Sequence, residues 1–433
     1  MTTTRRTPIS HLARLERLKS SYGEGIVATR LALLRVLARS RLHTAAQVAR
    51  LHEMLCFLRA YPDDARVLAQ VTRMLEGFDR RPDLLAHRDA LAASGIAGTA
   101  IHYRFFWSTA LWLARRWPDR LQFERDDPEA AARIAAALPL VAPAASAEWL
   151  RAGQLPAFEA LDRLRGRRSD AAWFVGRVAQ LPGDGFTREA FSDAVDAPFA
   201  VEPGKDTPSR SRAHFASAPR AFQQAPLRRG RPDLRAAIAV QPRGMRLLSR
   251  RDGAALIDLA RSAMVTRARD LMAFEYGDAR SVRLVDDGDG LAFAFCGVIP
   301  ERRSLLPAIF GGLTLRNGVP IGYVQVDVIG PCAALSFNTF ETFRGSEASH
   351  VFARLLAAVR HAFGAVSFSI EPYQLGHGNH EGIESGAWWF YYKLGFRPQA
   401  AAARRLARDE VARLQARPAH RSSERTLQAL AAH

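Results

Sequence analysis

The stretch Leu335-Ser-Phe-Asn-Thr-Phe-Glu-Thr-Phe-Arg-Gly-Ser-Glu-Ala-Ser349 runs directly into His350–Phe363, and its reading decides the fold. Ala334–Thr339 has the composition of a strand, and a short turn follows it. A helix is then predicted over Ser346–Phe363, with Val351, Phe352, Leu355, Leu356, Val359 and Phe363 as its apolar stripe. The first amides of such a helix lack partners and carry the positive end of its dipole, so they can hold an anion. Arg344 adds a formal charge at the same place.

Working outward, the pattern predicts strands at Met245–Leu248, Val282–Val285, Leu291–Val298, Ile309–Leu315 and Ile321–Val328. Gly288-Asp-Gly290 and Arg316-Asn-Gly318 supply hairpin turns, Asn-Gly being the stronger signal. Helices are expected from Asp252 to about Leu271 and over Ser385–Leu394. Strands are expected at Val366–Ile370 and from Phe396 onward. The Ala/Arg-rich tail from Ala400 reads as a peripheral helix.

The first two hundred residues read as helices. Leu51, Met54, Leu55 and Leu58 form one periodic stripe, and Val67, Leu68, Val71, Met74 and Leu75 form another after the break at Tyr61-Pro-Asp-Asp64. Tyr103–Trp117, with Phe105, Phe106, Trp107, Trp112 and Trp117, reads as a buried helix. Seven prolines between 198 and 242, set among Ser and Arg, mark a linker or an extended wrap. The expected class is α+β: an all-α domain over 1–199, a Pro/Arg-rich linker over 200–242, a mixed-sheet domain over 243–398 and a basic helical tail over 399–433.

The 433 residues carry 61 Lys+Arg against 43 Asp+Glu, a formal charge of +18. Lys19, Lys205 and Lys393 are the only lysines, so the excess is arginine. Residues 243–398 hold 17 basic and 15 acidic side chains, and 61–199 hold 18 and 19. The excess therefore lies in the two ends and the linker, and no nucleic-acid motif accompanies it, so a nucleic-acid partner is not expected. With 48% hydrophobic and 24% charged residues the chain has globular composition. Cys56, Cys296 and Cys332 are too scattered for a disulfide framework and read as small buried residues in a reducing compartment. The twin arginine Arg5-Arg6 has no apolar stretch behind it, and no apolar run approaches the ~20 residues of a membrane span. A cytoplasmic location without membrane attachment is expected.

Further on, Ser385-Gly-Ala-Trp-Trp-Phe-Tyr-Tyr-Lys-Leu-Gly-Phe-Arg-Pro398 contains Tyr391-Tyr-Lys-Leu-Gly-Phe396. Together with the strand–turn–helix upstream, and Met245-Arg-Leu-Leu-Ser-Arg-Arg-Asp252 as an opening strand and helix start, residues 243–398 resemble the GNAT superfamily of N-acetyltransferases. The resemblance implies acetyl-coenzyme A, or another acyl-coenzyme A, as acyl donor. It implies a small, peptide or protein amine as acceptor, with the helical domain shaping or supplying the acceptor site. Backbone around Phe337, Asn338 and Thr339 would take the pantetheine arm and polarise the thioester. Arg344, Gly345, Ser346, Ala348 and Ser349 would form the pyrophosphate turn, and Tyr391 would be the general acid. Glu341, Asp327 or Glu371 could be the base, Glu341 placed first. The turn departs from the family where Glu347 and Ser349 stand in place of glycines. A carboxylate there repels a pyrophosphate, so a non-catalytic binding module of the same fold is the alternative. His377, His380 and Glu381 lie in the Gly-rich loop 374–383, which suits a substrate lid better than a metal site.

Overall fold

A computed structural model describes residues 7–153 and 155–432, so the Arg5-Arg6 pair lies outside the described residues. The chain divides into two compact units. The first runs to Phe215 and adds Ala255–Tyr276; the second comprises Ala216–Ala254 and Gly277–His433.

The first unit is largely helical, beginning with Pro8–Arg17, Glu24–Arg39, Ala45–Ala60 and Ala65–Glu76. Side chains start several of these helices: Thr44 accepts from the Gln47 amide and Asp64 from that of Arg66. The neighbouring Asp63 instead receives the fully buried Arg30, which also donates to the carbonyls of Leu18 and Ser21.

The unit is not all helix, as the sequence had suggested. Three short strands, β1 (Ile101–Tyr103), β2 (Leu121–Phe123) and β3 (Phe199–Val201), form a sheet in the order β1-β3-β2. At three residues each they are too short to show a period of two. The aromatic stretch is accordingly strand at 101–103 and helix only from Trp107, with Phe106 half exposed. Residues 205–215 are bound tightly within this unit. Ser211 Oγ lies 2.8 Å from His52 Nε2, and Arg59 donates to the carbonyls of Ser211, Arg210 and Ala213.

One feature of this unit is electrostatically costly. Glu275 is 5% exposed, with the like charges of Asp270 and Glu189 near it and the charge of Arg261 opposing them. Ser108 donates to Glu275, and Thr109 donates to Asp270 at 3.1 Å. Burial, with Asp270 and Glu189 adding to it, pushes the Glu275 carboxyl up to about 7, and burial pushes Asp270 to about 6.

The second unit is a mixed seven-stranded sheet with flanking helices. Its strands are β4 (Gly244–Leu247), β5 (Arg283–Gly288), β6 (Leu291–Gly297), β7 (Ala308–Arg316), β8 (Val319–Ile329), β9 (Cys332–Thr339) and β10 (Ser367–Ile370). They lie in the order β10-β9-β8-β7-β6-β5-β4, and only β9 and β10 are parallel. Asp289 and Gly290, and likewise Asn317 and Gly318, all take positive φ, the conformation of tight hairpin turns. Helix Ala348–Phe363 covers one face of the sheet, where Phe363 meets Phe310 at 4.2 Å and Phe295 at 5.2 Å between ring centroids.

Three sequence expectations change here. No strand forms at Phe396: the N–H groups of Gly395 and Phe396 turn back to the carbonyls of Tyr392 and Tyr391, capping helix Ala387–Leu394. Pro398 then removes a further ladder donor. Cys332 is exposed at the start of β9, while Cys56 and Cys296 are buried. The tail is not peripheral. Helices Ala401–Ala416 and Glu424–Ala431 build a satellite core from Ala407, Leu427, Leu430 and Ala431 against Ile383 and Trp388. Within it Trp389 Nε1 donates to Ser422, and buried Glu410 accepts from Ser422, Arg413 and His420. Among the described residues no helix is long and apolar enough to cross a membrane.

Candidate functional site

Most of the residues singled out by the sequence lie at one end of the second unit, where β9 passes into helix Ala348–Phe363, whereas Asp327 pairs with Ala334 nearer the start of β9. β10 pairs with β9 only from Cys332–Ser367 to Leu335–Ile370. Beyond Leu335, β9 continues to Thr339 paired on its other side alone, with β8. Its outer edge is therefore open over Ser336–Thr339. The direction of the amides follows from strand alternation. Phe340 N–H donates to Ile321 C=O, so Asn338 and Ser336 also turn their backbone groups to β8, while Phe337 and Thr339 turn theirs to the open edge. Of the three residues assigned to the pantetheine arm, Phe337 and Thr339 offer outward amides and Asn338 does not.

The register depends on Gly322, opposite Thr339. A methyl group there would lie 2.4 Å from the Asn338 carbonyl oxygen, backbone that yields only if β9 moves. Gly322→Ala is expected to cost about 1–3 kcal/mol in denaturant unfolding. An unchanged midpoint would show that β9 tolerates displacement.

Beyond the open edge the chain makes the short helical turn Glu341–Phe343, then a left-handed step at Gly345 (φ 74°), before the long helix. Arg344 folds back here. Its Nε donates to the Thr339 carbonyl at 3.1 Å and its Nη2 to Glu381 Oε1 at 2.6 Å, in a pair that is about half exposed. Ser346 Oγ donates to the Phe343 carbonyl. The N–H groups of Ala348 and Ser349, in the helix's first turn, have no backbone acceptor among the described residues. Glu347 points away from this anion-favouring end. Its carboxylate is buried and takes Arg316 Nη2 at 2.6 Å, both side chains being nearly solvent-free. The negative charge of Glu347 is thus neutralised from the β7–β8 turn, thirty-one residues earlier in the chain. Arg316 reads from sequence only as a turn residue, and nothing local announces this pairing.

Tyr391 lies on the helix-covered face. Its ring meets Phe352 edge-on at 5.4 Å, and Phe352 meets Phe337 of β9 at 5.2 Å, so an aromatic chain joins the strand to the Tyr391 helix. The residue is 4% exposed, its hydroxyl makes no hydrogen bond among the described residues, and burial pushes the phenol well above its ordinary range. It stays protonated at neutral pH.

The opposite face of the sheet is polar: register places Tyr323 beside Asn338, Gln325 beside Ser336 and Asp327 beside Ala334. Burial raises the Asp327 carboxyl, with the charge of Glu371 adding to the rise and hydrogen bonds from Gln325 Nε2 (3.1 and 3.2 Å) opposing it. Glu341, placed first on sequence grounds, is exposed on the turn, and Glu371 is exposed after β10. Asp327 is the one carboxylate of the three that is not exposed. Gln325, which orients it, carries only the two-residue strand spacing as a signal.

In the loop 374–383, His380 pairs with Glu384 and Glu381 with Arg344. Among the described residues no three His, Cys, Asp or Glu side chains group as metal ligands. No family model matches the chain, and neither the curated proteins nor the solved structures contain a match to it.

Proposed function

We propose that the second unit is an acyl-coenzyme A-dependent N-acyltransferase of the GNAT type, transferring an acetyl or other acyl group to an amine. The observation that carries the reading is the open edge of β9 past Leu335, directly ahead of a helix start whose first amides have no backbone acceptor. An extended amide-bearing arm can add to such an edge as a strand does. A diphosphate can sit at the helix start with Arg344, which exchanges its half-exposed partner Glu381 for it. The engagement of Glu347 by Arg316 removes the repulsion that favoured a non-catalytic binding module.

Acyl-coenzyme A supplies an acyl carbon activated as a thioester. The outward amides of Phe337 and Thr339 are positioned to stabilise negative charge on the acyl oxygen. Asp327, whose carboxyl burial raises, accepts from the sheet face opposite Tyr391 the proton that the attacking amine must lose as its nitrogen bonds to the acyl carbon. Tyr391 gives its phenolic proton to the sulfur as the carbon–sulfur bond breaks.

Calorimetry with acetyl-coenzyme A tests the reading. Binding is expected, and Arg344→Ala is expected to weaken it roughly tenfold, the worth of one charge-assisted contact. No binding at millimolar ligand would sink it.

A further inference from the structure

On the other flank of the same helix start lies a cavity of about 670 Å³ that the acyl-transfer reading does not use. Its floor is ionic and already paired. Arg316 holds Glu347, and Arg354 holds Asp287 at 2.6 Å while also donating to the carbonyls of Ala237 and Val240. At the rim Arg243 pairs with Asp289. The lining thus has four arginines against three acids, each acid matched with an arginine.

The fourth arginine, Arg228, is exposed and has no carboxylate in the cavity. Its Nη1 lies 3.2 Å from His350 Nε2. Burial and the charges of Arg228, Arg316 and Arg354 hold the His350 ring neutral, down at about 4, which marks the positive field at that point. The rest of the lining is the strap that carries Arg228, and it is different in kind. The strap 221–241 contributes Phe222, Pro226 and Val240 with the amides of Gln223, Gln224 and Gln241. Phe222 and Val240 are exposed, and the Ala221 amide is tied at 2.7 Å to Asn317.

We propose that this cavity binds a small organic phosphate of nucleoside monophosphate size. The phosphate lies against Arg228 and His350, and the organic body lies under the strap. Three features argue together for that class. The volume falls in the range of small-molecule sites and far exceeds a bare anion. The one cation of the lining without a matched carboxylate, Arg228, faces the cavity beside His350. Beside Arg228 the strap offers apolar surface edged with amides, which suits a flat ring with polar edges rather than a second charge.

The test is calorimetric titration of the whole chain with the four ribonucleoside 5′-monophosphates, their parent nucleosides and inorganic phosphate. At least one monophosphate is expected to bind, at least tenfold more tightly than its nucleoside or phosphate alone. Arg228→Ala, an exposed substitution that leaves the ionic floor intact, is expected to weaken it tenfold or more. Arg344→Ala is expected to leave it unchanged, and acetyl-coenzyme A is expected not to displace it. Bound monophosphate should also slow tryptic cleavage of the strap after Arg229. Equal affinity for wild type and Arg228→Ala, or no binding of any of the four at millimolar concentration, overturns the proposal. A monophosphate that depends on Arg228 in a chain that fails to bind acetyl-coenzyme A would leave this site standing and remove the acyl-transfer reading.

Discussion

Tyr391→Phe is expected to lower acyl-transfer turnover by about 10²–10⁴-fold, the usual share of a general acid, while leaving acetyl-coenzyme A affinity unchanged. The reasoning rests on what the hydroxyl does not do. The ring is packed against Phe352, Phe390 and Phe396, and phenylalanine preserves all three contacts. The hydroxyl makes no hydrogen bond among the described residues, so its removal costs the fold little. A stability change within about 1 kcal/mol is the companion expectation. Turnover that survives the substitution would take the proton donor away from this residue. Asp327→Asn separates the other half of the chemistry: it should abolish the acidic limb of the pH–rate profile, which a purely structural role for Asp327 would leave in place.

The second large effect concerns pH and the first unit. The Glu275 carboxyl stands at about 7 and Asp270 at about 6, both above their values in an unfolded chain. Between pH 4 and 7 the folded state therefore holds more protons than the unfolded one. Stability from this pair is full below about pH 4, falls as pH rises through 7, and is flat beyond. The loss attributable to Glu275 is about 3 kcal/mol, and the two groups titrate as a pair. Other carboxylates, such as Asp83 held low by Arg81, push stability the opposite way. The clean measurement is consequently the difference between wild type and Glu275→Gln. Glutamine can keep the Ser108 contact and can donate to Asp270. The variant should be the more stable by a few kcal/mol at pH 8, with the difference vanishing near pH 4. Parallel curves across that range would refute the assignment.

Much of the sheet is legible in the residues because local chemistry dictates it. Asp289-Gly290 and Asn317-Gly318 force tight hairpins, and strands β5 to β9 lie within a few residues of their expected positions. Helix Ala348–Phe363 follows from its apolar stripe in the same way. What the sequence conceals is non-local. Strands of three residues in the first unit leave no periodic trace. The neutralisation of Glu347 depends on a strand-turn arginine that only tertiary structure brings near. The choice of Asp327 over Glu341 turns on burial and on Glu371, which spacing along one chain does not encode. The terminal strand expected at Phe396 fails because helix capping claims the N–H groups that a ladder needs.

The satellite core at the end of the chain sets an order of assembly during synthesis. β9 and helix Ala348–Phe363 leave the ribosome well before Leu427, Leu430 and Ala431 exist to cover Ile383 and Trp388. Throughout that interval the helix bearing Tyr391 shows a tryptophan face to water while the rest of its sheet can already close. A premature stop between 401 and 431 therefore yields a chain with its strands intact and its aromatic flank bare, a target for chaperones or proteases. Tyr391 itself packs on Phe352 and Phe396, on the side of the sheet, and does not wait for those helices.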